Sequence, residues 1–92
     1  MNKFRVKIIL SEHVVNLKIP LLKSLGWNIT RHKIKRTIQN PKWEGITRYG
    51  QPTAMSLVDA KHFLRVIYRE EDGIIFVITI HMARRGTYES TK

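Results

Sequence analysis

The fold is decided by the stretch from Lys61 to Met82, which reads KHFLRVIYREEDGIIFVITIHM. Two runs in this stretch, 61–70 and 74–82, are rich in β-branched and aromatic residues, and Glu71-Asp72-Gly73 separates them. Such a pattern predicts a β-hairpin. Because side chains alternate between the two faces of a strand, the length of the turn determines which residues share a face.

Burial favours a three-residue turn with Gly73 in the left-handed conformation. A two-residue turn would pair Arg65 with Ile80 and place arginines on the most apolar face, where a charge is costly to bury. The three-residue turn instead gives one apolar face, which the helices are expected to cover. Its residues are Leu64, Val66, Tyr68, Phe76, Ile78 and Ile80. The opposite face, open at one end, then holds Lys61, Phe63, Arg65, Ile67, Arg69, Ile75, Val77, Thr79 and His81.

The chain before the hairpin alternates between strand and helix patterns. Residues 4–10 predict a strand, and Ser11 caps a helix that Pro20 must kink or split. Thr30 caps a second helix, which Pro41 ends.

Two further strands are expected around a turn at 50–52, over residues 43–49 and 53–58. The sequence therefore predicts one α+β domain over residues 1–92. Its two helices pack on one face of a three- to four-stranded antiparallel sheet.

Composition narrows the function. The chain has 92 residues, and 17 Lys and Arg against 7 Asp and Glu give a net charge of +10. This excess predicts a polyanionic partner, which is RNA, DNA or an acidic protein. With no cysteine, a disulfide scaffold, a Cys-ligated zinc and a thiol nucleophile are excluded, and the cytoplasm is favoured. No apolar stretch predicts a membrane span or a signal peptide, and no motif predicts a metal or a cofactor.

Three groups of residues are candidates for contact with a nucleic acid. On the open sheet face, Arg65 could bind phosphate, Phe63 could stack on a base and His81 could transfer a proton, with Lys61 nearby. The alternative is an ordinary solvated face. The second group is the set of cations on the second helix, which could steer RNA or bind an acidic partner, or simply be solvated: Arg31, Lys33, Lys35 and Arg36.

The third group follows the last strand. Arg84 and Arg85 could clamp a phosphate, and Tyr88 could stack on a base or donate a proton. The alternative is a frayed basic tail.

Several short motifs resemble a poorly characterised family of small domains: Ser11-Glu12-His13, Leu25-Gly26-Trp27-Asn28-Ile29-Thr30 and Asn40-Pro41. The ending Ile80-His81-Met82-Ala83-Arg84-Arg85 with Tyr88-Glu89 resembles the BrnT branch of RelE-type toxins, and the resemblance covers about residues 11–89. The resemblance implies a RelE-like β-α-α-β-β-β order and a metal-independent endoribonuclease that an acidic antitoxin protein neutralises.

The resemblance also implies roles for particular residues. Arg65 and Arg84 or Arg85 match phosphate-binding arginines, and His81 or Tyr88 matches an acid or base acting on the ribose 2′-hydroxyl. Two other functions stay open, a non-catalytic nucleic-acid-binding module and a basic protein-interaction domain.

Overall fold

A computed structural model describes residues 6–86 of the chain. Its strands form one mixed sheet in the order β1-β5-β4-β3-β2. The strands are β1 (Lys7–Leu10), β2 (Trp43–Ile46), β3 (Pro52–Leu57), β4 (His62–Glu71) and β5 (Ile74–Arg84). Between β1 and β2 lie a π-helical segment (Val14–Lys18), helix α1 (Ile19–Ser24), which continues it, and helix α2 (Arg31–Gln39).

The α+β class is confirmed, and four strands, β2 to β5, are antiparallel neighbours as expected. The sheet has five strands, and β1 runs parallel to β5, with Lys7 opposite Ile74 and Leu10 opposite Val77. The helices after β1 carry the chain across one face of the sheet, as a parallel pair requires. Alternation in the sequence predicts a strand at β1 but says nothing about its direction.

Both helix starts follow the predicted chemistry. The Ser11 hydroxyl accepts the N–H of Val14 at 3.2 Å and donates to the carbonyl of Ile78 at 3.2 Å, which fixes the helix against β5. Thr30 caps α2 by accepting the N–H of Lys33 at 3.0 Å. The helix is not split at Pro20, because the backbone stays helical from the π-helical segment through Ile19 into α1; Pro20 lies in the first turn of α1, where the helix type changes.

The β4–β5 turn is shorter than expected. Glu71 lies opposite Ile74, so the turn contains two residues, Asp72 (φ 52°) and Gly73 (φ 78°). Positive φ at both positions is the signature of a type I′ turn, whose twist matches that of the flanking strands. The predicted three-residue turn is therefore wrong.

A β-bulge at Ile78 compensates for the short turn. Tyr68 lies opposite Val77 while Ile67 lies opposite Thr79, so Ile78 is the extra residue. Before the bulge, Val77 faces the helices, which corrects its predicted place on the open face. After Ile78, the residues of β5 lie on the faces that the sequence predicts.

Ile75 changes face together with Val77, and both belong to the core. Phe76 moves the other way, lying opposite Arg69 with that guanidinium 4.3 Å from its ring centroid.

The core lies between the helices and the sheet. Its buried members are Val14, Leu22, Ile29, Ile34, Ile38, Ala54, Leu64, Val66, Tyr68, Ile75, Val77 and Ile80. We call this side of the sheet the helix side and the opposite one the Arg65 side. None of the helices within residues 6–86 is long and apolar enough to cross a bilayer.

Candidate nucleic-acid interface

The centre of the Arg65 side is a pair formed by Arg65 on β4 and His81 on β5. The two residues lie directly opposite each other, and Nη1 of Arg65 is 3.3 Å from Nε2 of His81. Arg65 was expected opposite Thr79; the shorter turn and the bulge each shift the register by one residue and place it opposite His81. A guanidinium only donates, so Nε2 of His81 accepts and its ring is neutral in this contact.

Burial and nearby charge keep the imidazole neutral. Partial burial is the largest cause that lowers the pKa of His81 from its usual 6.5, and the positive charges of Arg65 and Lys18 lower it further. Arginine side chains are cations in proteins. The pair therefore combines a permanent cation with a base that is unprotonated near neutral pH.

Trp43 extends this site across the sheet, in the role expected of Phe63. Trp43, Met55, Arg65 and His81 form one cross-strand row. The Trp43 ring covers that of Phe63, with 5.6 Å between their centroids, and Phe63 has no exposed surface. Phe63 therefore cannot stack on a base, which corrects that expectation. Trp43 is partly exposed and is available for stacking.

The two arginines at the end of β5 diverge. The guanidinium of Arg85 lies 5.5 Å from the Trp43 ring centroid, on the Arg65 side. Arg84 lies opposite His62, whose ring is 4.8 Å from that of Trp27 on the helix side. The two arginines thus do not converge on one phosphate, and only Arg85 shares a face with Arg65. Tyr88 lies outside the described residues.

A cavity of about 530 Å³ borders Arg65 beside the β2–β3 loop. Its lining is Ile46, Thr47, Arg48, Tyr49, Gln51, Arg65 and Ile67. Tyr49 is 75% exposed, and Arg48 lies 5.1 Å from its ring centroid while donating to its hydroxyl at 2.9 Å. Tyr49 thus adds an exposed aromatic ring with a cation to the partly exposed Trp43, on the edge of the Arg65 side.

Sequence reasoning missed this part of the site. The signal was present, since Lys42-Trp43 and Arg48-Tyr49 each join a cation to an aromatic residue. In the structure the Lys42 ammonium lies 5.4 Å from the Trp43 ring centroid. Only the pairing of β2 and β3 with β4 brings these two dipeptides beside Arg65.

The cations of α2 do not belong to this site. Ile34, Thr37 and Ile38 bury the inner face of α2 against the helix side, so its cations lie across the sheet from Arg65. Lys33 donates from Nζ to the carbonyl of Leu57 at 2.8 Å and thereby fixes α2 to β3. Lys33 thus lies on the helix side, away from the Arg65 side, and its role in steering RNA stays a prediction.

The other α2 cations, Arg31, Lys35 and Arg36, are exposed on that distant surface. They could still raise the local concentration of RNA, but they do not line the site.

The β3–β4 turn places Lys61 next to Arg85. The backbone carbonyl of Lys61 accepts the N–H of Arg85 at 2.8 Å, and its side chain is exposed. Asp59 fixes this turn, with Oδ1 accepting the N–H groups of Lys61 and His62 at 2.8 Å each. The bond from Lys61 is the main cause that lowers the pKa of Asp59. Within residues 6–86, no three acidic or histidine side chains group closely enough to hold a metal ion.

No protein-family model, curated protein or solved structure matches the chain. The chemistry available on the Arg65 side therefore has to be inferred from its own residues. They provide fixed positive charge, the exposed ring of Tyr49, the partly exposed ring of Trp43 and a neutral imidazole, a combination suited to a single-stranded polyanion that carries bases.

Proposed function

We propose that the protein binds single-stranded RNA on the Arg65 side and cleaves it without a metal ion. The observation that carries the proposal is the 3.3 Å contact between the Arg65 guanidinium and Nε2 of His81. It joins a phosphate-binding group and a general base in one place.

The exposed aromatic residues support RNA as the polyanion. Trp43 and Tyr49 each lie beside an arginine, so a base that stacks on either ring brings its phosphate toward a cation. Double-stranded nucleic acid offers no free base faces to such rings. The arrangement therefore favours a single strand.

Cleavage requires a rearrangement of the contact between Arg65 and His81. An incoming phosphodiester draws the Arg65 guanidinium onto its oxygens, which leaves Nε2 of His81 to take the proton of the ribose 2′-hydroxyl. The 2′-oxygen then attacks phosphorus and the bond to the 5′-oxygen breaks. The leaving oxygen takes a proton from water or from Tyr88, the acid that the RelE resemblance suggests. The products are a 2′,3′-cyclic phosphate and a 5′-hydroxyl.

A binding-only function is the second candidate, and the same contact favours it. Nε2 of His81 already accepts an N–H of Arg65, so the base is occupied in the absence of RNA. If RNA does not displace this bond, the protein holds RNA without cutting it. The net charge of +10 also agrees with an acidic antitoxin protein as a partner.

The test is incubation of the chain with single-stranded RNA in EDTA, followed by analysis of the product ends. We expect 2′,3′-cyclic phosphate ends, and we expect Arg65→Ala together with His81→Ala to abolish them. Lys35→Ala with Arg36→Ala, which removes two cations from the far side, is the matched control and should retain cleavage.

The outcomes separate the two functions. RNA binding without products supports the binding-only function and contradicts the catalytic one. Unchanged cleavage in the Arg65/His81 double variant means that the active residues lie elsewhere.

A further inference from the structure

The β2–β3 loop, which forms one wall of the cavity beside Arg65, is held in place by Thr47. The Thr47 hydroxyl oxygen accepts the N–H groups of Tyr49 at 3.2 Å and of Gln51 at 3.1 Å. The backbone N–H of Thr47 donates to the carbonyl of Gln51 at 2.8 Å. Gly50, with a φ of 84°, closes the turn by donating to the carbonyl of Thr47 at 2.9 Å. This wall of the cavity is therefore preorganised for a ligand.

The same hydroxyl determines which way the Gln51 side-chain amide faces. Its oxygen already accepts two N–H groups, so its own proton is left to donate, and Oε1 of Gln51 lies 3.3 Å away to accept it. The Nε2 group of the amide therefore lies on the side away from Thr47. Gln51 thus offers N–H donors, and not an acceptor, at the wall of the cavity.

The remaining polar groups around the cavity have the same character. Arg48 and Arg65 can only donate, and among the described residues that line the cavity none is acidic. The apolar surface comes from Ile46, Ile67 and the exposed ring of Tyr49. Such a cavity fits a planar ring that carries hydrogen-bond acceptors on one edge.

Guanine is the base whose edge matches these donors. Its O6 and N7 are adjacent acceptors, whereas adenine and cytosine each carry a donor amine on that edge and uracil has a single acceptor there. We propose that the cavity binds a guanine base of the RNA. The base stacks on Tyr49, and its O6 and N7 accept from Gln51 and Arg48.

This inference rests on the proposed function, because it names the base that lies beside the phosphate held by Arg65. Arg65 borders the cavity and also contacts His81. A guanine in the cavity therefore places the phosphate next to it at the pair of residues proposed to cleave the chain.

The test measures the affinity of the full chain for labelled short RNAs by fluorescence anisotropy in EDTA. Each RNA is an oligouridine with one central guanine, inosine or adenine, and fluorine replaces its 2′-hydroxyls so that it cannot be cleaved. Inosine keeps the O6 and N7 of guanine. We therefore expect the guanine and inosine RNAs to bind at least about fivefold more tightly than the adenine RNA.

Substitutions in the chain locate the recognition. Gln51→Glu replaces the donor amide by a carboxylate of the same shape, and it should reduce the preference for guanine over adenine to about twofold or less. Gln39→Glu adds the same charge at the end of α2, on the helix side, so it is the matched control and should keep the preference. Tyr49→Ala should weaken binding of the guanine RNA at least about fivefold, because the stacking surface is lost. Thermal unfolding checks that the variants are folded.

Two results would overturn this inference and leave the proposed function standing. In the first, all three RNAs bind equally well. In the second, the preference for guanine persists in both Gln51→Glu and Tyr49→Ala. A preference for guanine that depends on Gln51, without cleavage of unmodified RNA, would support the inference and overturn only the catalytic step. If neither the fluorinated nor the unmodified RNAs bind, the proposed function fails and this inference fails with it.

Discussion

The two faces of strands β4 and β5 have opposite roles. On the helix side, Leu64, Val66 and Ile80 have no exposed surface. On the Arg65 side, the alternate residues Arg65 and His81 are partly exposed and contact each other. The comparison teaches that period-two alternation lets a single hairpin build a core and a binding surface together. Substitutions one residue apart should therefore separate stability from function.

Phe63 is an exception to this division between a core face and a binding face, and its substitution has the largest expected effect on stability. It lies on the Arg65 side but is fully buried beneath Trp43. Phe63→Ala should lower the free energy of unfolding by about 3–5 kcal/mol, the usual cost of removing a buried ring. Urea unfolding measures this loss.

Trp43→Ala is the companion variant for Phe63, because it removes the ring above. It should reduce RNA affinity more than it reduces stability. If Phe63→Ala unfolds like wild type, the Arg65 side has no packed layer and Phe63 is available to RNA after all.

Leu64 and Arg65 test the division between the helix side and the Arg65 side at adjacent positions. Leu64→Ala leaves a cavity in the core and should cost about 2–5 kcal/mol, with RNA affinity of the folded fraction unchanged. Arg65→Ala should instead reduce RNA affinity and abolish cleavage, with a smaller loss of stability. Urea unfolding and RNA titration of both variants test this. Equal losses of stability would mean that Arg65 is mainly structural.

The hairpin shows how far the sequence determines this division. Burial arguments correctly place Arg65 and His81 on one face, but they do so through the wrong turn. The actual turn is one residue shorter, and the bulge at Ile78 adds one residue. The register beyond the bulge is thus displaced by two residues, which preserves the faces. Near the turn the displacement is one residue, and there Val77 was assigned to the wrong side.

Sequence motifs were sufficient to predict features that depend only on neighbouring residues. The Thr30 cap depends on nearby backbone, and it is seen. Long-range pairing is different, because no local pattern reports that β1 lies parallel to β5 or that Trp43 shares a row with Arg65. This is why the centre of the site was predictable and its aromatic flank was not.

Arg84 and Arg85 are adjacent and chemically identical, so their variants test whether the side of the sheet determines the effect on RNA binding. Arg85 lies over Trp43 on the Arg65 side, and Arg84 lies opposite His62 on the helix side. Arg85→Ala should weaken RNA binding several-fold and reduce the salt dependence by about one phosphate contact. Arg84→Ala should change both much less. RNA titrations at several salt concentrations measure the difference, and equal effects would mean that RNA contacts the end of β5 from both sides.

The smallest expected effect is a pH dependence of stability caused by His81. Burial, Arg65 and Lys18 lower its pKa in the folded state below the usual 6.5, which the unfolded chain retains. The unfolded state therefore binds the proton more tightly, so the free energy of unfolding should fall as the pH drops below about 6.5 and should not change on this account above it.

His81→Gln keeps a polar side chain that does not titrate, so it should remove this part of the slope. Urea unfolding between pH 7.5 and 5 compares the two proteins. Lys18→Ala should reduce the slope only in part, because burial and Arg65 remain. A slope that is the same in wild type and in His81→Gln would show that the imidazole is not held neutral by its surroundings, and the proposed general base would lose its physical support.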